Sequence, residues 1–141
     1  MFFNIFLVIL LVYFIITIFL FFYQRKLLYY PNINVRDSHT ISHKMEKVLI
    51  PSENDLVAWH YKNNENYKTL VFFHGNAGGL SNRIYKLNEF SKLKLNYLIF
   101  AYRGFNGNKG KPTEEGLYED ASKVINWLKS KNILENDIIL Y

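Results

Sequence analysis

The first 23 residues, Met1 to Tyr23, carry no charged side chain, and from Ile5 onward Thr17 is the only one that is neither apolar nor aromatic. A helix over Ile5 to Tyr23 is roughly 28 Å long at 1.5 Å per residue, close to the roughly 30 Å hydrocarbon thickness of a bilayer. A secretory signal has a shorter apolar core of about 7 to 15 residues, follows a basic segment and ends at small residues suited to cleavage. None of the three is present. A helix with no polar face is equally out of place as the core helix of so short a chain. Residues 1–23 therefore read as a transmembrane anchor, with 5–23 in the lipid.

Arg25 and Lys26 follow this span while only the amino group of Met1 precedes it, so the positive-inside rule predicts a single-pass membrane protein whose soluble part is cytoplasmic. Tyr23, Tyr29 and Tyr30 suit an interfacial aromatic belt, and Arg25, Lys26 and Pro31 mark the exit into a polar juxtamembrane linker over 24–46. The formal charge of +5 lies wholly after the anchor, but its lysines and arginines are dispersed among acids, which describes a solvated surface and argues against a nucleic-acid partner. With no cysteine, disulfides and thiol catalysis are excluded. There is no Asn-x-Ser/Thr site and no internal repeat.

Beyond the linker the pattern alternates strand and helix. Lys47 to Pro51 and Leu56 to Tyr61 read as short strands, and Asn63-Asn64-Glu65-Asn66 as a turn. Lys68 to Phe73 is a continuous apolar run of the kind covered by helices on both faces. Ser81 is the expected N-cap of a helix reaching about Lys94, and Tyr97 to Tyr102 is the next buried strand. Thr113 caps a further helix, with Glu114 and Glu115 in its first turn and Lys129 and Lys131 at its end, as the helix dipole prefers. Leu117, Ala121, Val124 and Leu128 give it one apolar face, and Asp137 to Tyr141 opens another buried strand. This order predicts an α/β fold, a mostly parallel sheet with crossover helices entered through an antiparallel hairpin. In such sheets ligands bind beyond the carboxyl ends of the strands, where 74–79 and 103–110 both fall.

The glycine-rich loop after the apolar run offers neither G-x-x-x-x-G-K-[ST] nor G-x-G-x-x-G, which argues against nucleotide binding. His39 and His43 are four apart, but nothing around them is helical in pattern and the Glu of H-E-x-x-H is missing, so no metal and no cofactor is expected.

Three segments, Phe72-Phe73-His74-Gly75-Asn76-Ala77-Gly78-Gly79, then Tyr102-Arg103-Gly104-Phe105, then Gly110-Lys111-Pro112-Thr113-Glu114-Glu115-Gly116-Leu117-Tyr118-Glu119-Asp120, resemble signature segments of α/β-hydrolases. The likeness is strongest to the membrane-anchored, serine-aminopeptidase-like branch and covers 47–141. It implies that the backbone N–H of Asn76 is an oxyanion-hole donor, that Gly75 permits close approach of the backbone, and that Ala77, Gly78 and Gly79 complete the loop. On the same resemblance His74 is structural, since the family's base comes from a late loop. Tyr102, Arg103 and Gly104 lie beside the site, where Arg103 ties the loop down or meets a substrate carboxylate. Asn106-Gly107-Asn108-Lys109-Gly110 departs in part from the small Gly/Ser pattern usual there, although Asn also suits tight turns.

The family's nucleophile sits in G-x-S-x-G directly after the fifth strand. No serine here has that context, and His39, His43, His60 and His74 all come too early to be the base, so no residue of the triad is expected in these 141. Residues 47–141 are accordingly expected to be a truncated hydrolase domain ending at the strand before the nucleophile. On this expectation the chain is the N-terminal, inactive portion of a membrane-anchored serine hydrolase acting on an ester, amide or peptide bond. The alternative is a non-catalytic membrane-anchored protein that completes its sheet with a partner chain.

Overall fold

A computed structural model describes residues 1–33, 44–53 and 55–141. The chain divides into two compact units, Met1–Tyr30 and Pro31–Tyr141. His39 and His43, and the serines 38 and 42, lie outside the described residues.

The first unit is a single helix, α1 (Phe2–Leu28), none of whose residues is buried. It is long and apolar enough to cross a membrane. Its length exceeds the expected 5–23 because Gln24, Arg25, Lys26 and Leu27 are all good helix formers and carry it into the stretch assigned to the linker. The hydroxyl of Thr17 donates back to the carbonyl of Tyr13 at 2.9 Å, so it leaves no donor facing lipid. Lys26 lies 5.4 Å from the ring centre of Tyr23.

Among the described residues the main sheet of the second unit has five strands: β1 (Met45–Ile50), β2 (Leu56–Tyr61), β3 (Thr69–Phe72), β4 (Asn96–Phe100) and β5 (Ile138–Leu140). Their spatial order is β1-β2-β4-β3-β5. β1 and β2 form the expected antiparallel hairpin, β2 pairs antiparallel with β4, and β3 runs parallel to both β4 and β5. β1 begins at Met45, two residues earlier than expected and inside the stretch assigned to the linker, since Met45 pairs with Tyr61 and is buried.

α3 (Glu114–Ser130) covers one face of the sheet. The Thr113 hydroxyl accepts from the Gly116 N–H at 3.0 Å, the expected cap. Val124 and Leu128 pack on Leu56, Ala58, Val71, Leu98 and Phe100, each contributing about 1.5 to 3 kcal/mol by burial. Trp59, Tyr61, Leu70, Phe72, Tyr97 and Ile99 are buried on the opposite face, where Phe90 meets Phe72 and Tyr97 edge-on or tilted. That ring belongs to α2 (Ile84–Phe90), which is shorter than expected and ends four residues before Lys94.

Ser81 is not its N-cap. A 3-10 turn over Leu80–Arg83 precedes α2, and Asn82 reaches back to accept from the Gly79 N–H at 2.8 Å. Ser81 lies inside that turn and not ahead of α2, where a capping hydroxyl would have to stand. β5 is also less buried than its composition implies: among the described residues it has one strand neighbour, and Ile139 and Leu140 are exposed.

Candidate functional site

Because β3 and β4 are parallel neighbours, the loops that follow them leave the same edge of the sheet. On the other side of β3 the Tyr141 N–H donates to the Val71 carbonyl at 2.9 Å, and the Phe73 N–H donates to the Tyr141 carbonyl at 2.8 Å. The residue before His74 and the end of β5 are thus registered on each other at this rim.

His74 is buried between Tyr102 and Phe105, with ring centres 4.9 and 5.0 Å away. Its Nδ1 is 2.7 Å from the Gly75 carbonyl, which can only accept, and its Nε2 is 3.4 Å from the Tyr102 N–H, which can only donate. One neutral tautomer, protonated on Nδ1, satisfies both. Burial pulls the imidazole down to about 4, opposed by the Gly75 carbonyl and helped by the charge of Arg83. At neutral pH His74 is an uncharged wedge with both nitrogens engaged.

The next three residues, Gly75, Asn76 and Ala77, are exposed. A Cβ added at Gly75 would meet nothing nearer than an Arg83 nitrogen at 3.9 Å, so the space before this backbone is open. Beyond them the loop is tightly held. Arg83 Nη2 donates to the Ala77 carbonyl at 2.8 Å. Gly78 has φ +79°, and a Cβ there would lie 2.7 Å from Asn82 Oδ1, so glycine is required twice over.

The loop after β4 carries Tyr102, Arg103 and Gly104. Arg103 faces carboxylates of α3. Its backbone N–H donates to Asp120 Oδ2 at 2.8 Å, Nη2 donates to Asp120 Oδ1 at 2.7 Å and Nη2 reaches Glu119 at 2.8 Å. Hydrogen bonding to buried Asp120 raises the guanidinium above its ordinary value. Gly116 makes room for it, since a Cβ there would sit 2.7 Å from Arg103 Nη1. Gly104 has φ +80° and would place a Cβ 2.8 Å from Pro112. The geometry ties Arg103 to the body of the fold and leaves the burial of Tyr102 to raise its phenol to about 12.

The sequence marks the asparagines of this loop as turn formers and gives no sign of their distant partners. Asn108 Nδ2 donates to the Ala101 carbonyl at 2.7 Å while its Oδ1 accepts from the Val57 N–H at 3.2 Å, pinning the loop to β2. Asn106 is fully buried with φ +52°, and its Oδ1 accepts from the Leu80 N–H at 3.1 Å. The signal was the dipeptide Asn106-Gly107, since asparagine tolerates the left-handed region; the partner, 26 residues away, had no local trace.

Two cavities lie elsewhere in this unit. One of about 360 Å³ is lined by Ser52, Asp55, Val57 and Asn108, and one of about 1000 Å³ by His60, Thr69, Asn96 and Trp127 at the edge opposite the rim. Neither is lined by residues 74–79. Among the described residues no three His, Asp or Glu are grouped as metal ligands.

No family model matches the sequence. An uncharacterized protein of Mycobacterium tuberculosis (strain H37Rv) is 28% identical over 84% of this chain and 44% of its own length. An uncharacterized membrane protein of Saccharomyces cerevisiae is 27% identical over 86% of this chain and 46% of its own. The lysophosphatidylserine lipase ABHD12 of Xenopus tropicalis is 32% identical over 47% of this chain and 18% of its own. Among solved structures, the alpha-beta hydrolase of Vibrio vulnificus superposes with a TM-score of 0.61 at 25% identity, over 70% of this chain and 35% of that one. The chain thus spans less than half the length of the relatives it matches most fully.

Proposed function

We propose that this chain, an α/β hydrolase by fold and by relatives, supplies the oxyanion-binding half of a serine-hydrolase site held at a membrane. The Asn76 N–H donates to the carbonyl oxygen of an ester, amide or peptide substrate as that oxygen takes up negative charge. Attack by a serine hydroxyl, its proton passing to a histidine, moves the carbonyl π electrons onto this oxygen; their return expels the leaving alcohol or amine, which takes that proton from the histidine, and water then releases the acyl group from the serine. One such donor is worth about 2.7 to 4 kcal/mol of transition-state stabilisation. The nucleophile belongs at the turn following β5, with acid and base later still, in the part of the relatives that these 141 residues do not span. Residues 1–141 by themselves are inactive on this reading.

The observation that carries the reading is the parallel register of β5 on β3. Through Val71 and Phe73 it sets Tyr141 opposite Phe72, two residues before His74, so that a turn after β5 opens towards Gly75 and Asn76. The serine-aminopeptidase-like assignment rests on the three segments around His74, Tyr102 and Gly110, and α1 with Arg25 and Lys26 supports a cytoplasmic orientation of the rim.

The test is labelling of the full-length, membrane-bound protein by a fluorophosphonate. Labelling that disappears on changing the serine of a G-x-S-x-G after β5 to alanine is the expected result. A folded protein that stays unlabelled, or a coding sequence with no such serine, overturns it. In that event the exposed Ile139 and Leu140 of β5 favour the alternative, a strand-pairing surface for another chain.

A further inference from the structure

Two hydrogen bonds join the rim loops to the segment that follows α1, and a third joins the loops to each other. The Asn32 N–H donates to the Gly78 carbonyl at 2.9 Å, and the Asn106 N–H donates to the Asn32 carbonyl at 2.9 Å. Asn106 Oδ1 accepts from the Leu80 N–H at 3.1 Å and closes the ring. The loop carrying Asn76 is therefore held from its far side, two to four residues beyond the proposed donor. Asn106 is the only member of this ring that uses a side chain.

Three features make the contact specific. Asn106 has φ +52°, which asparagine and glycine adopt far more readily than other residues, and glycine offers no acceptor. Gly79 lies directly against it, since a Cβ there would stand 2.8 Å from Asn106 Oδ1. The amide is also uncharged, whereas aspartate would bury a negative charge beside the loop meant to receive one.

We infer that Asn106 is a positioning residue for the oxyanion loop, holding Leu80, and through it Gly78 to Asn76, at the place where the tetrahedral oxygen forms. The inference rests on the hydrolase reading above. Misplacing a donor by about 1 Å costs on the order of 100-fold in rate, and the loss falls on the transition state rather than on substrate binding.

The experiment uses the full-length membrane-bound protein, p-nitrophenyl butyrate as substrate and phenylboronic acid as a mimic of the tetrahedral state. Asn106→Gly keeps the backbone conformation and removes the acceptor. Its kcat is expected to fall about 10- to 100-fold with KM within about twofold, and its affinity for the boronic acid to fall by a similar factor. A purely structural role would lower the melting temperature and leave kcat and boronic acid affinity of the folded fraction unchanged, which overturns the inference. Should Asn106→Gly fail to fold, Gly79→Ala displaces the Asn106 amide while leaving both hydrogen-bonding groups in place, and the same split is expected of it; unchanged kcat there is equally fatal. A native protein that neither hydrolyses the ester nor reacts with a fluorophosphonate overturns the hydrolase reading and this inference with it, whereas native activity with unaltered variants overturns this inference alone.

Discussion

The loop after β4 and the loop after β3 leave the same edge of the sheet, yet the first is held chiefly through its own side chains, Arg103 and Asn108, and the second by side chains and backbone outside it, from the adjoining turn, from Asn32 and from Asn106. Residues 101–113 are pinned by Asn108 to Ala101 and β2, and by Arg103 to Asp120 on the helix that follows, with positive φ at Gly104, Asn106, Gly107 and Gly110. Residues 74–80 take their shape from Asn32, Asn82, Arg83 and Asn106. The difference suggests a division of labour. A stiff loop serves as the template, and a neighbour with an exposed crest at Gly75 to Ala77 is shaped against it.

The strongest way to break this contrast is Asp120→Ala. It strips the buried carboxylate that accepts from both the backbone and the guanidinium of Arg103, and should cost about 3 to 5 kcal/mol of stability in denaturant titration. Loosening of the β3 loop in the same variant, read by faster amide exchange at Gly79 and Leu80, would show that the template works; unchanged exchange there would show that the loops are independent.

Acid is the next lever, because His74 touches both loops. Its folded-state value lies below the ordinary one, so the unfolded chain takes up the proton first as pH falls. The stability it contributes is complete above pH 6.5 and is lost progressively towards about pH 4, by on the order of 3 kcal/mol. His60, also lowered to about 4, chiefly by burial and then by the charge of Lys62, adds a similar slope from the far edge of the sheet. His74→Asn should remove about half of the acid sensitivity seen by thermal unfolding between pH 6.5 and 4.

Gly78→Ala sharpens the picture on the borrowed side alone. Forcing a side chain into φ +79° against Asn82 should cost about 1 to 2 kcal/mol in the same assay and leave the Arg103 contacts intact. The smallest effect is expected of Thr113→Ala, which removes the cap of α3 for about 1 kcal/mol and none of the bonds that hold either loop.

What the sequence disclosed follows the same divide. Local signals were enough for the strands Leu56 to Tyr61 and Thr69 to Phe72, and for the Thr113 cap, because continuous apolar runs and a capping hydroxyl act within a few residues. The strand order matched the fold class because the hairpin and the crossovers leave few alternatives. Ser81 misled because the chain enters α2 through a 3-10 turn that begins one residue before it, and a capping hydroxyl carries no sign of that turn. The neutral tautomer of His74 depends on the Tyr102 N–H, and the anchoring of Arg103 on Asp120, partners set by tertiary folding and invisible to any short window. The asparagines of 106–108 looked like a departure from pattern and turned out to be rivets.

The close fit of Gly79 under Asn106 ties the ancestry of the two positions together. Neither can drift by itself: a larger residue at 79 evicts the amide, and another residue at 106 leaves a donor orphaned over a glycine that no longer needs to be one. Lineages of this protein should therefore inherit the pair as a unit, keeping both letters or exchanging both.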